Sequence, residues 1–187
     1  MSQKLEQNAQ QKPPKISYQP QKYEDTQLEH FKKMVEKEFN LKFNDYWELQ
    51  EWSCKNYPEF WDCVWRFFDI IHSKPYSQVY DRKNGFESME WFKDARLNYA
   101  ENLLKYRDSE IAIISTNAED VTEYISYEQL YNEVHVYVKA MRNEGIRKGN
   151  SIACYLLNKK EALFAFLATA AIGAVWCSCL PFMGARV

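Results

Sequence analysis

Hydrophobic positions along this chain change period twice. From residue 25 they recur at spacings of three and four: Leu28, Phe31, Val35 and Phe39, then Leu49 and Trp52, then Phe60, Trp61, Val64, Trp65, Phe68 and Ile71. Each stripe marks one face of an amphipathic helix, so residues 25–72 predict three short helices whose aromatics pack on one another. Asp45-x-x-Glu48 has the form of a capping box before the second helix, and Pro58 suits the first turn of the third. Residues 74–89 read as irregular chain, with one strand near Val79 and Tyr80.

The second half alternates strand and helix signals. Residues 111–115 form a short buried-type run, and residues 121–125 can pair back on it across the Asn117 turn. Ser126-x-x-Gln129 opens a helix with Leu130, Val134, Val138 and Met141 on its apolar face, and Gly145 ends it as a left-handed cap. A strand over 151–156, a helix over 159–172, a stop at Gly173 and a strand over 175–179 follow. Strand–helix–strand–helix–strand predicts a parallel sheet with crossover helices.

Composition fits this reading. Of 187 residues, 46% are apolar and 16% aromatic, and the first 24 are rich in Gln, Lys and Pro with little to bury, which predicts a disordered tail. The net charge of −2 disfavours a protein devoted to gripping nucleic-acid backbones. Residues 162–180 carry no charge over a length sufficient to cross a bilayer, but Gly173, a β-branched and aromatic run and Pro181 favour a buried helix followed by a buried strand. No secretory or mitochondrial leader is expected at the N-terminus, and five cysteines without framework spacing favour reduced thiols and a cytoplasmic setting.

Candidate chemistry is sparse. Cys177-x-Cys179 could supply half of a metal site, yet no second pair lies nearby, and two small core residues in a strand explain them better. His30, His72 and His135 are scattered. No glycine-rich phosphate loop, dinucleotide fingerprint or H-E-x-x-H motif is present, and Gly145 and Gly149 read as a helix stop and a turn. No catalytic, cofactor-binding or metal-binding residue is therefore assigned.

One segment carries a wider resemblance. Trp91-Phe92 followed by A-R-L-N-Y-A-E-N-L-L at residues 95–104 resembles the acyl-CoA synthetases of the adenylate-forming superfamily, within it the acetyl- and acetoacetyl-CoA synthetase group. I-S-Y-E-Q-L at 125–130, the run over 141–149 and A-A-I-G-A-V-W-C-S at 170–178 are similar to that group in register, and so are Leu49-x-x-Trp52-Ser53 and Phe60-Trp61-x-x-Val64-Trp65 upstream. The chain departs where the family reads G-D-R-V, here Gly149-Asn150-Ser151-Ile152, and after the Trp176 strand, where the family continues S-P-D-F-G.

The resemblance implies an α/β fold: an N-terminal helical cap, then an incomplete parallel sheet with crossover helices, the start of the large adenylate-forming domain. It divides the chain into a tail (1–24), a helical N-terminal region (25–104) and the first part of an AMP-binding domain, truncated (105–187). The implied reaction joins acetoacetate to CoA with cleavage of ATP to AMP and pyrophosphate. ATP, Mg²⁺ and CoA are expected of a full-length enzyme and none of them of this chain, because the family's phosphate loop, Mg²⁺-binding acid and catalytic lysine have no counterpart in residues 1–187. Glu101 and Arg96 stand inside the family signature and are expected to act structurally, as a cap or an ion pair. The alternative function is a non-catalytic interaction or regulatory module that binds a protein partner through apolar surface left exposed by an unfinished sheet.

Overall fold

A computed structural model describes residues 24–81 and 88–182. The expected disordered tail lies outside the described residues. The chain forms two compact units that part between Phe67 and Phe68.

The first unit is three helices: α1 (Gln27–Phe39), α2 (Tyr46–Lys55) and α3 (Tyr57–Phe67). Thr26 caps α1 by accepting the Glu29 N–H, and Asn40 closes it in the left-handed conformation at φ 51°, a geometry that short polar side chains tolerate. Asp45 caps α2 as predicted, but the reciprocal half of the box is displaced by one residue. The Glu48 carboxylate accepts the backbone N–H of Asn44 at 2.7 Å rather than that of Asp45. The Asn44 side-chain amide donates to the same carboxylate at 3.0 and 3.1 Å, and these bonds, with the backbone N–H next in effect, favour the ionised form and hold the Glu48 pKa below its ordinary value.

Phe31, Val35, Phe43, Leu49 and Cys63 form the core of this unit, with Phe60, Val64 and Phe67 packed against it. Phe31 meets Phe60 and Phe67 edge-on, with ring centroids 5.6 and 5.3 Å apart. The predicted stripes are narrower in the structure. Leu28 is 47% exposed, and Trp61 and Phe68 also face water. The inward face of α3 is Phe60, Cys63, Val64 and Phe67, at the i, i+3, i+4, i+7 spacing of one helix face. The helix ends at Phe67 and does not reach Ile71.

The second unit begins with an antiparallel pair, β1 (Gln78–Asp81) and β2 (Glu90–Lys93), in which Tyr80 faces Trp91 with ring centroids 4.8 Å apart. The Trp91-Phe92 segment is thus a strand, an element the pattern did not predict. A short helix, α4 (Tyr99–Leu103), follows. The hairpin of β3 (Ile111–Thr116) and β4 (Thr122–Ser126) forms as predicted, with a register shift between Ile111 and Ile113. Ser126 and Gln129 complete a reciprocal capping box at the start of α5 (Tyr127–Asn143).

β5 (Ser151–Tyr155) and β6 (Val175–Cys179) run parallel, joined by the crossover helix α6 (Lys160–Ile172). The predicted parallel sheet is therefore real for these two strands. Among the described residues β3 pairs only with β4 and forms no ladder to β5. The uncharged run over 162–180 divides between α6, which buries Phe164, Leu167 and Ala168, and β6, which is mostly exposed rather than buried as expected, having β5 as its one strand neighbour among the described residues. No described helix is long and apolar enough to cross a membrane. Ala100, Leu104, Ile125, Leu130, Val134, Phe164, Leu167 and Ala168 make the core, drawing together α4, β4, α5 and α6. Large apolar groups remain on the surface of the strands, including Ile114 at 65% and Val175 at 55% exposure.

Candidate functional site

In open α/β folds, ligands bind where the chain leaves the carboxyl ends of the parallel strands. Here that place is a cleft of about 490 Å³ between residues 157–161, the end of the β5–α6 connection and the start of α6, and the β3–β4 turn. The turn is built by Asn117, whose side-chain oxygen accepts the N–H groups of Glu119 and Val121 at 3.0 and 2.9 Å. Asp120 takes the left-handed conformation at φ 59° to close it. On the other wall α6 starts after Lys159, with no side-chain cap on its first turn. Lys160 crosses to the hairpin and pairs with Glu123. The hydrogen bond from that carboxylate favours the ammonium form and raises the Lys160 pKa.

Lys160 and Glu123 also line a second cleft of about 460 Å³, with Glu133, Tyr137 and Glu161. Burial, and then the Glu161 and Glu133 carboxylates, push the Tyr137 phenol upward. These walls can position a polar ligand, but no nucleophile–base pair stands among the described contacts at either place.

No three His, Cys, Asp or Glu side chains among the described residues are grouped to hold a metal ion. Cys177 and Cys179 are exposed free thiols rather than the core residues expected, because β6 is mostly exposed and pairs only with β5 among the described strands. Gly145, Gly149 and Gly173 have positive φ at helix ends and turns, not along a phosphate-cradling loop.

The signature segment acts structurally, through residues other than those singled out from sequence. Asn98 caps α4 by accepting the Glu101 N–H at 3.1 Å, while its amide nitrogen donates to the carbonyls of Ala170 and Ala171 at the end of α6. Asn102 exchanges two bonds with Ile71, accepting its N–H at 2.8 Å and donating to its carbonyl at 3.0 Å. Arg96 takes part through its backbone, donating its N–H to the Lys74 carbonyl at 3.0 Å and accepting from Ser73 at 2.7 Å. Its side chain is exposed, and Glu101 is the capped residue rather than the cap. The Asn98-x-x-Glu101 spacing, an N-cap pattern, is the signal that marks Asn98 in the sequence.

Comparison with known proteins agrees with this architecture. Residues 46–103 match the family described as acetyl-coenzyme A synthetase N-terminus, and residues 100–186 match the family described as AMP-binding enzyme. Acetoacetyl-CoA synthetase of Xenopus tropicalis is 39% identical over 173 residues, which cover 91% of this chain and 26% of the relative. The Danio rerio and Mus musculus synthetases are 38% and 35% identical over 91% and 90% of the chain, again 26% of their length. The solved acetoacetyl-CoA synthetase from Streptomyces lividans superposes with a TM-score of 0.77 at 32% identity, over 87% of this chain and 26% of that one. The chain thus spans 26% of the length of these relatives. It belongs to the acyl-CoA synthetase family of AMP-binding enzymes, and is related to the N-terminal portion of acetoacetyl-CoA synthetases.

Proposed function

We propose that this chain is the N-terminal structural portion of an ATP-dependent acetoacetate–CoA ligase, working in the cytoplasm, and that the isolated chain does not turn over. The reaction of the complete enzyme would convert acetoacetate, ATP and CoA to acetoacetyl-CoA, AMP and pyrophosphate. The observation that carries the reading is the fold likeness to the Streptomyces lividans synthetase over 87% of the chain. Transfer of an adenylyl group needs preorganised donors or cations around developing phosphate charge. Asn98 and Asn102 tie the signature helix to α6 and to the chain at Ile71, which supports a scaffolding role for this portion.

Two assays test the reading. The isolated chain, given acetoacetate, ATP, Mg²⁺ and CoA, is expected to release no pyrophosphate, and turnover would overturn its assignment as inactive. A chimera in which this chain replaces the matching portion of the Streptomyces lividans synthetase is expected to release pyrophosphate with acetoacetate. A soluble, folded chimera with no such activity would sink the ligase assignment.

A second reading, a non-catalytic interaction module, is favoured by the apolar groups exposed on the strands, Ile114, Tyr124 and Val175 among them. Under that reading the chain captures a synthetase chain in a binding assay, and substitution of Ile114 by a charged residue abolishes capture.

A further inference from the structure

We propose that the cleft between α4 and α5 is a binding site for a small organic anion with an apolar body, carboxylate or phosphate. The proposal does not rest on the ligase reading.

The cleft lies between α4 and α5, each of which packs on α6. It encloses about 410 Å³, within the range of small-molecule sites. Its floor is the edge of the core: Ala100, Leu104 and Val134, all buried. The wall on α5 is a single stripe, with Tyr131, His135, Val138 and Arg142 following one another at helical spacing. Arg107 enters from the chain after α4.

Two features give the cleft its chemistry. The Arg107 guanidinium lies over the Tyr131 ring, 3.9 Å from its centroid, and Tyr131 is itself stacked with His135 at an interplanar angle of 8°. The ring holds the guanidinium in place, and its N–H groups, which make no ion pair among the described residues, can grip a carboxylate or phosphate through two oxygens. The second feature is charge imbalance. Neither Arg107 nor Arg142 is ion-paired among the described residues, and one carboxylate, Glu101, shares the cleft with them. Two guanidinium charges against one carboxylate leave one uncompensated positive charge beside an apolar floor, which calls for a ligand with one anionic end and one apolar end.

The test is ligand-observed NMR titration of the full chain with benzoate, phenyl phosphate and neutral benzyl alcohol. One or both anions are expected to bind about tenfold or more tightly than the alcohol, with affinity that falls as salt is raised. Comparing benzoate with phenyl phosphate identifies the anionic group. The double variant R107Q/R142Q is expected to lose at least about tenfold of that affinity, while K33Q, on α1, keeps it. If the double variant fails to fold, the salt dependence on the unmodified chain decides. Equal binding of anions and alcohol, salt-independent binding, unchanged affinity in a folded double variant, or binding of an acidic peptide with none of the small anions would each overturn the proposal.

Discussion

The amide nitrogen of Asn98 donates to the carbonyl of Ala170 at 3.0 Å, across 72 residues of chain. The same side chain caps α4 through its oxygen. One residue thereby starts one helix and satisfies the end of another, whose last carbonyls have no partner within the helix. Asn98→Ala is expected to cost about 1 kcal/mol for the lost cap and roughly 1–3 kcal/mol for the Ala171 carbonyl, which loses its Asn98 partner, while Ala170 keeps the Gly173 N–H. Urea unfolding of the full chain checks this. Glu101→Gln keeps the capped N–H and should change stability by less than about 0.5 kcal/mol.

In the first unit, the core face of α1 predicts a contrast. Phe31 is buried between Phe60 and Phe67, whereas Leu28 on the same helix is 47% exposed. Phe31→Ala should destabilise by about 3–5 kcal/mol, since it opens a cavity the rings cannot close. Leu28→Ala should move stability by less than about 0.5 kcal/mol. Thermal melts of the two variants read the difference, and equal effects would mean that the stripe, not the face seen here, sets the core.

Glycine substitutions separate backbone strain from steric contact. Gly145 and Gly173 both have positive φ, 84° and 78°. A Cβ at Gly145 would meet nothing within 4 Å, while at Gly173 it would come within 3.2 Å of the Lys148 side chain. Gly145→Ala is expected to cost about 1 kcal/mol from conformation alone. Gly173→Ala should cost the same amount and a further increment, kept small because the Lys148 stem can move. Chemical denaturation of both variants orders them.

Cysteine chemistry offers a pH-dependent check. The Cys63 thiol is fully buried, and burial, with Glu38 next in effect, pushes its pKa up from 9.0 to about 11. An acid whose pKa is raised on folding keeps its proton in the native chain after the unfolded chain has lost it. The unfolded state then binds fewer protons, so this thiol's contribution to stability is complete below pH 9 and declines as pH rises through about 9 to 11. Cys63→Ala should flatten that alkaline decline while lowering stability at neutral pH. A thiol reagent at pH 8 is expected to label Cys54, Cys177 and Cys179, which are exposed, well before Cys63 and Cys154, which are buried.

Much of the local architecture was legible in the chain. The Ser126–Gln129 box, the helix stops at Gly145 and Gly173 and the hairpin turn at Asn117 are short-range devices whose partners lie within a few residues, and all appear as predicted. The strand at Trp91 was missed because its pairing with Tyr80 is a long-range cross-strand contact and its run is too short to show alternation. The signature segment was recognised as structural, but Glu101 and Arg96 were singled out where Asn98 and Asn102 make the bonds. Charge draws attention in a sequence, whereas an amide's value depends on which carbonyls the fold brings to it.

Sequence alone determined the periodicities, and with them the three helices, the crossover helix between parallel strands and the family to which the chain belongs, because these follow from spacing and identity along the chain. Tertiary structure decided which side of each stripe is buried, that the β3–β4 hairpin stands apart from the parallel pair among the described residues, and that Arg107 lies on Tyr131 in a cleft that Arg142 also lines. Those outcomes depend on how helices and strands pack over distances that no local pattern encodes, and packing is where the burial that stabilises one face over another is won.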